Sequence, residues 1–138
     1  MEYIELTEKP LVPQKAVDQV SVDSCGAIDV FIGTVRNSTQ NKSVVRLDFE
    51  AYAPMAIKEM RKIALAAKEK WPVARIAIHH RYGTLQIGEI AVVIAVSTPH
   101  RKDAFAACQY AIDTLKETVP IWKKEVFTDG EIWVAAHP

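Results

Sequence analysis

The sequence predicts an α+β fold with a largely antiparallel sheet and packed helices, and three observations carry that expectation. Strand-like and helix-like segments are interspersed, but several adjacent strands are joined by short turns instead of helical crossovers. No glycine-rich phosphate loop follows any strand, so the phosphate-binding devices of doubly wound sheets are absent. The chain has 138 residues, 49% of them apolar, which is enough for one domain over residues 1–138 with a sizeable core and no repeats or linkers.

Taken in order, Tyr3 to Leu6 predicts a short strand that ends at the Glu8-Lys9-Pro10 turn. Pro13 to Val20 predicts a short helix with Ala16, Val17 and Val20 on its apolar side. Gly26 starts GAIDVFIGTVR, which ends at Arg36 and is nearly apolar throughout, as suits a strand covered on both faces. Gly33 within it marks a bulge or a close backbone approach. The polar segment Asn37 to Ser43 reads as a mobile loop, either plain surface or a lid over a ligand.

Val44 to Tyr52 predicts the next strand, with Val45, Leu47 and Phe49 alternating against Arg46, Asp48 and Glu50. Pro54 suits the first turn of a helix running to about Lys70, whose stripe Ala56, Met60, Ile63, Ala67 is core-like. Arg75 to Tyr82 is another strand, followed by a turn-rich connection through YGTLQIGE. Glu89 to Thr98 is the most hydrophobic strand and is expected at the centre of the sheet. Ile121 to Phe127 and Glu131 to Ala135 are expected to pair across Thr128-Asp129-Gly130.

From the end of the Glu89–Thr98 strand into the Ile121–Phe127 strand runs the stretch that points to function, Ser97 to Glu125. Ser97 and Thr98 are placed to cap a helix, with Pro99 in its first turn. Phe105, Cys108, Ile112 and Leu115 form its apolar stripe, and Pro120 ends it. At about 100° per residue, Arg101 falls near the middle of that stripe and Lys116 on its margin. A buried charge needs a partner or a cavity. Lys123 and Lys124 follow on the next strand, so cations gather around a face that should be apolar. His100 and Arg101 at a helix start sit where backbone amides favour an anion. Each of these has a plainer reading as cap, dipole complement or solvated strand edge. Taken together, Arg36, Arg101, Lys116 and Lys123 at the ends of apolar elements read as an anion site.

Composition narrows the alternatives. Seventeen Lys and Arg balance seventeen Asp and Glu, so a broad basic surface for nucleic acid is not expected and any positive site is local. Cys25 and Cys108 form neither a disulfide framework nor a metal-ligand spacing. Cys108 reads as a small core residue. His79 and His80, adjacent on a strand, point to opposite faces and do not share a ligand. The N-terminus is not a signal peptide and no apolar run reaches membrane-spanning length, so a cytoplasmic location is expected.

The segments GAIDVFIGTVR, LDFEAYAPMA, HHRYGTLQIGE, STPHRKDAF and LKETVPIWKKE, in that order, closely resemble the large, catalytic subunit of molybdopterin synthase. The resemblance runs from Gly26 to Val134, and PIWKKE after an HR-containing helix is its most distinctive part. It implies an α/β-hammerhead fold and a homodimer within a heterotetramer. The partner it implies is a small ubiquitin-like subunit whose C-terminal Gly-Gly carries a thiocarboxylate. The reaction it implies is transfer of two sulfurs to cyclic pyranopterin monophosphate, which forms the dithiolene of molybdopterin in molybdenum cofactor biosynthesis.

Carried over by motif, Lys116 and Lys123 are catalytic, and Arg36, His100, Arg101, Lys116 and Lys123 bind substrate. His100 and Arg101 would reach the pocket of the neighbouring protomer. No cofactor and no metal are implied, because the sulfur arrives on the partner. Two other readings remain at this stage: a non-catalytic pterin- or phosphometabolite-binding protein, and a protein-docking domain that uses the IWKKE strand as an edge.

Overall fold

The computed structural model describes residues 1–133. In chain order its elements are β1 (Glu2–Thr7), α1 (Pro13–Val20), β2 (Ala27–Thr34), β3 (Ser38–Thr39), β4 (Lys42–Ala51), α2 (Ala53–Lys70), β5 (Arg75–Arg81), β6 (Gly83–Gln86), β7 (Ile90–Thr98), α3 (Arg101–Thr118), β8 (Ile121–Phe127) and β9 (Gly130–Trp133). The strands form two sheets where one was expected. The first runs β1-β5-β7-β2, and the second runs β3-β4-β8-β9 with β6 also on β4. Only β1 and β5 run parallel among the described pairings. The mixed, mainly antiparallel α+β class therefore holds.

Alternation along β5 and β7 builds the layers. Ile76, Ile78, Ile94 and Val96 face α2 and α3 and join Met60, Ile63, Cys108, Ile112 and Leu115 in the main core. Ala77, Val93 and Ala95 face the other way, against Ala16 and Val20 of α1. With both faces covered, β7 is buried from Ala91 to Thr98, as its continuous apolar run requires. The α2 stripe Ala56, Met60, Ile63, Ala67 is buried as expected. Full burial of Met60 alone contributes roughly 2 kcal/mol of transfer free energy.

Five local expectations give way to non-local packing. β2 is an edge strand instead of one covered on both faces, and it leaves Ile28 41% and Ile32 43% exposed. Asn37 to Ser43 is a tight hairpin, with Gln40 and Asn41 at φ 50° and 66° turning β3 into β4. A register shift between Val44 and Arg46 buries Val44 and turns Val45 outward, which reverses the expected alternation there. The YGTLQIGE connection contains β6, which leaves the first sheet and pairs with β4 of the second.

The last correction concerns α3. Ser97 and Thr98 stay in β7, and the helix starts after His100 without a side-chain cap. Its buried stripe is Ala104, Ala107, Cys108, Ala111, Ile112 and Leu115, while Phe105 is 58% exposed. Cys108, Ile112 and Leu115 are buried as expected; Phe105 alone falls off the stripe, its place taken by Ala104, and Arg101 lies exposed at the helix start. Of the last expected strand, Val134 and Ala135 lie outside the described residues.

Candidate functional site

A pocket of about 370 Å³ opens where the end of β2, the end of α3 and the middle of β8 meet. Each element delivers its side chain for a local reason. The register shift at Gly33 bends the end of β2, and a Cβ on Gly33 would lie 2.7 Å from Val92 Cγ1, so a side chain there would collide with β7. Beyond the bend, Arg36 lines the pocket. Lys116 stands in the last turn of α3, where a cation also complements the helix dipole. Lys123 and Glu125 alternate on β8, so both face the pocket, whereas Lys124 faces away toward Asp48, 3.9 Å distant.

Three cations thus share one pocket with one carboxylate. Neither the Arg36 nor the Lys116 side chain makes a hydrogen bond or ion pair among the described residues. Lys123 Nζ lies 3.8 Å from Glu125 Oε1. Burial holds the Lys123 amine below its ordinary range, and repulsion from Lys116 and Arg36 adds to this against the opposing pull of Glu125. Glu125 is 3% exposed, and its Oε2 has no hydrogen-bond partner among the described residues. An orphaned buried carboxylate oxygen calls for a donor from outside the chain. Sequence reading passed over Glu125; the period of two from Lys123 was the signal that pointed to it.

His100 and Arg101 are not in this pocket. Arg101 and Lys116 stand fifteen positions apart on one helix, about 22 Å at the usual rise. They lie instead by the start of β2, where Gly26 N donates to Pro99 O at 3.2 Å. Cys108 is buried and its thiol is pushed up to about 12, chiefly by desolvation, with Asp29 adding to the shift. That leaves it a packing residue. His79 and His80 do point to opposite faces. His79 bonds Gln19 Oε1 at 2.8 Å on the α1 side, and desolvation lowers its pKa. Among the described residues no group of three or more His, Cys, Asp or Glu is arranged to hold a metal ion.

A larger hollow, about 670 Å³, lies beside α1 between Tyr3, Lys15, Gln19 and Arg75. Its charges are already engaged. Lys15 pairs with Glu5 at 3.0 Å, and Arg75 donates to the carbonyls of Gln19 and Ser21. Converging uncompensated charge, not volume, marks the smaller pocket as the candidate site.

Comparison with known proteins places the whole chain in a family. The model of the MoaE protein family matches residues 6–118. The molybdopterin synthase catalytic subunit of Halalkalibacterium halodurans is 53% identical over 94% of this chain and 83% of its own length. A crystal structure of molybdopterin synthase from Staphylococcus aureus superposes with a TM-score of 0.91 at 45% identity, covering 95% of this chain and 96% of that one. A protein–protein complex of subunits 1 and 2 of molybdopterin-converting factor from Helicobacter pylori matches at a TM-score of 0.76 and 23% identity, over 99% of this chain and 93% of that one. That last likeness speaks for the fold alone.

Proposed function

This chain belongs to the MoaE family of molybdopterin synthase catalytic subunits, and from that premise we propose that the three-cation pocket is where sulfur passes from a thiocarboxylated partner to a phosphorylated pterin. The observation that carries the proposal is the convergence of Arg36, Lys116 and Lys123 on one pocket of about 370 Å³. That volume suits a small ligand. A cyclic phosphate is met by Arg36, whose planar fork suits phosphate oxygens. The thiocarboxylate at the Gly-Gly end of a small ubiquitin-like subunit threads in toward Lys116. Lys123, held below its ordinary range by burial, is the lysine readied for proton transfer. A lysine that only held an anion would gain nothing from such a shift, which favours an enzyme over a binding protein. Two rounds yield the dithiolene of molybdopterin, with the whole chain acting as one domain in the cytoplasm.

His100 and Arg101 serve the same chemistry across a two-fold axis. The exposed apolar edge of β2 is the surface we assign to a second copy of this chain. If two β2 strands meet antiparallel, the Ala27 end of one lies beside the Thr34 end of the other. The first end carries His100 and Arg101, and the second opens onto the pocket. Each site would then be completed by its neighbour's cations.

The test is incubation with a thiocarboxylated Gly-Gly partner and cyclic pyranopterin monophosphate, with mass spectrometry of the pterin. Gain of two sulfurs is the expected result, and an unchanged pterin defeats the proposal. Mixing inactive Arg101→Ala and Lys116→Ala chains tests the shared site. A heterodimer then has one doubly damaged pocket and one intact pocket, so up to half of its activity returns. No recovery after demonstrated subunit exchange confines Arg101 to its own chain.

A further inference from the structure

Behind Lys116 and Lys123 the pocket narrows into a chamber of about 100 Å³, bounded by Phe49, Ala91, Ile112 and Leu115. Besides the two lysines and Thr34 at its rim, one polar side chain enters this lining, the imidazole of His80. His80 is 1% exposed and held in place twice over. Phe49 packs edge-on to it at 5.6 Å and 76°, and its Nδ1 lies 2.8 Å from the carbonyl oxygen of Arg81. A carbonyl only accepts, so Nδ1 carries the proton and Nε2 is left as a bare acceptor. Nε2 has no hydrogen bond among the described residues, yet it is not one of the polar atoms sealed from solvent. It therefore opens into the chamber. Burial also brings the ring's pKa down to about 4, so the acceptor persists through the neutral range.

The chamber's chemistry selects its occupant. An anion is repelled by a lone pair and stays at the lysines. The pterin is too large for a space of about 100 Å³. Two or three waters fit at about 30 Å³ each, and a buried water needs at least two polar partners. His80 Nε2 to accept and a lysine ammonium to donate supply both.

We infer that His80 is a positioning residue that holds, through Nε2, the water that releases the small subunit from the sulfurated pterin. The inference rests on the sulfur-transfer reading above. The thiocarboxylate sulfur bonds to a pterin carbon as a carbon–oxygen bond there breaks; the oxygen leaves with the electron pair and takes a proton from a lysine ammonium of the pocket, so the tail stays joined to the pterin as an acyl thioester. Water oxygen then bonds to the acyl carbon as the acyl carbon–sulfur bond breaks, and the sulfur keeps the electron pair. Both protons of water end on the products, a carboxylic acid on the tail and a thiol on the pterin, before these ionise to solvent. No oxidant or reductant takes part. His80 fixes the water's direction of attack from the closed side of the site, while the lysines hold the anions on the open side.

The test uses wild-type protein, the thiocarboxylated partner and the pterin in single turnover. In water enriched with oxygen-18, the released Gly-Gly carboxylate gains one labelled oxygen per sulfur transferred. No product at all defeats the functional reading and the water with it, whereas product with an unlabelled carboxylate overturns the water alone. His80→Phe keeps the ring and removes the acceptor. It should slow release about tenfold or more and accumulate a partner–pterin adduct visible by intact mass, with the pterin KM within about twofold. His80→Gln, which restores an acceptor near the Nε2 position, should clear the adduct. A folded His80→Phe variant releasing at the wild-type rate, or one changed only in KM, overturns the assignment. The oxygen-18 result stands even if that variant does not fold.

Discussion

The hollow beside α1 has nearly twice the volume of the pocket between the sheets, about 670 against 370 Å³, yet the two differ most in what their charges have left to do. In the hollow, Lys15 is held by Glu5, Arg75 by two carbonyls, and Gln14 donates to Asp18 at 2.8 Å. In the pocket, Arg36 and Lys116 have no such partner among the described residues, Lys123 has only a long contact to Glu125, and Glu125 keeps one oxygen unbonded. A folded chain leaves buried or converging charge uncompensated only at a cost in stability. Where several such groups meet, an incoming ligand supplies the compensation. The pocket, and not the hollow, is therefore the candidate site.

That contrast can be broken at several points. The largest effect is expected from Lys116→Ala, which should reduce single-turnover product formation about a hundredfold or more without loss of fold, because Lys116 is exposed. A variant keeping most of its activity would return Lys116 to the role of a dipole complement. Lys123→Ala should be nearly as severe, while Lys124→Ala, on the opposite face of β8, should stay within about threefold of wild type. Equal losses at both positions would mean that strand alternation does not sort them. The wild-type rate should also rise with pH through a pKa below the ordinary lysine value, since burial favours the neutral amine that accepts a proton. A pH profile in which Lys123→Ala retains that limb would assign it to another group.

Arg36→Ala sharpens the comparison by testing binding without proton transfer. It should raise the pterin KM about tenfold, equivalent to ~1.4 kcal/mol, with a smaller change in kcat. Added salt should weaken wild-type binding in the same direction. Isothermal titration across a salt series reads both, and a salt-independent affinity would count against a phosphate contact.

The neighbouring histidines give a test that reads stability. His79 backs the α1 side and His80 the chamber, and desolvation lowers both pKa values. The unfolded chain therefore binds protons that the folded one resists, and stability present above about pH 6.5 is lost as pH falls. For His80, whose folded value is about 4, the loss between those limits is about 3 kcal/mol. Urea unfolding at pH 7 and pH 4.5 should show a smaller acid loss in His80→Gln than in wild type. The same loss in both would place the acid sensitivity elsewhere. The smallest effect belongs to the hollow: Lys15→Ala breaks a solvated pair and should cost less than about 1 kcal/mol, with activity unchanged. A catalytic defect there would overturn the reading of that surface.

Much of the fold was legible because helices and strands obey short-range rules. The α2 stripe, the limits Pro13 to Val20, and the buried run ending at Thr98 all follow from the periodicity of residues a few positions apart. The cations of the site were legible as well, since a charge at the end of an apolar element is visible in the chain itself. Their grouping was less so. Arg101 and Lys116 share one helix, yet about 22 Å separates them, so a list of cations on one element did not amount to one pocket. Phe105 was misplaced because a stripe drawn through three- and four-residue steps admits a neighbouring solution, and the sheet it packs on decides between them.

The class of fold, the order of its longer elements and the inventory of charged groups could be read from the chain alone, because these depend on local conformation and composition. The rest was decided by contacts between residues far apart in the chain. The split into two sheets follows from β4 pairing with β8 and β6 while β2 pairs with β7, and the outward turn of Val45 from the irregular pairing of β4 with β8. The placing of Arg36, Lys116 and Lys123 around one cavity, with Glu125 among them and His80 behind, follows from the packing of β2, α3 and β8 at the junction of the sheets. No local rule carries that information, since strand register and helix docking are set by the burial of whole faces at once.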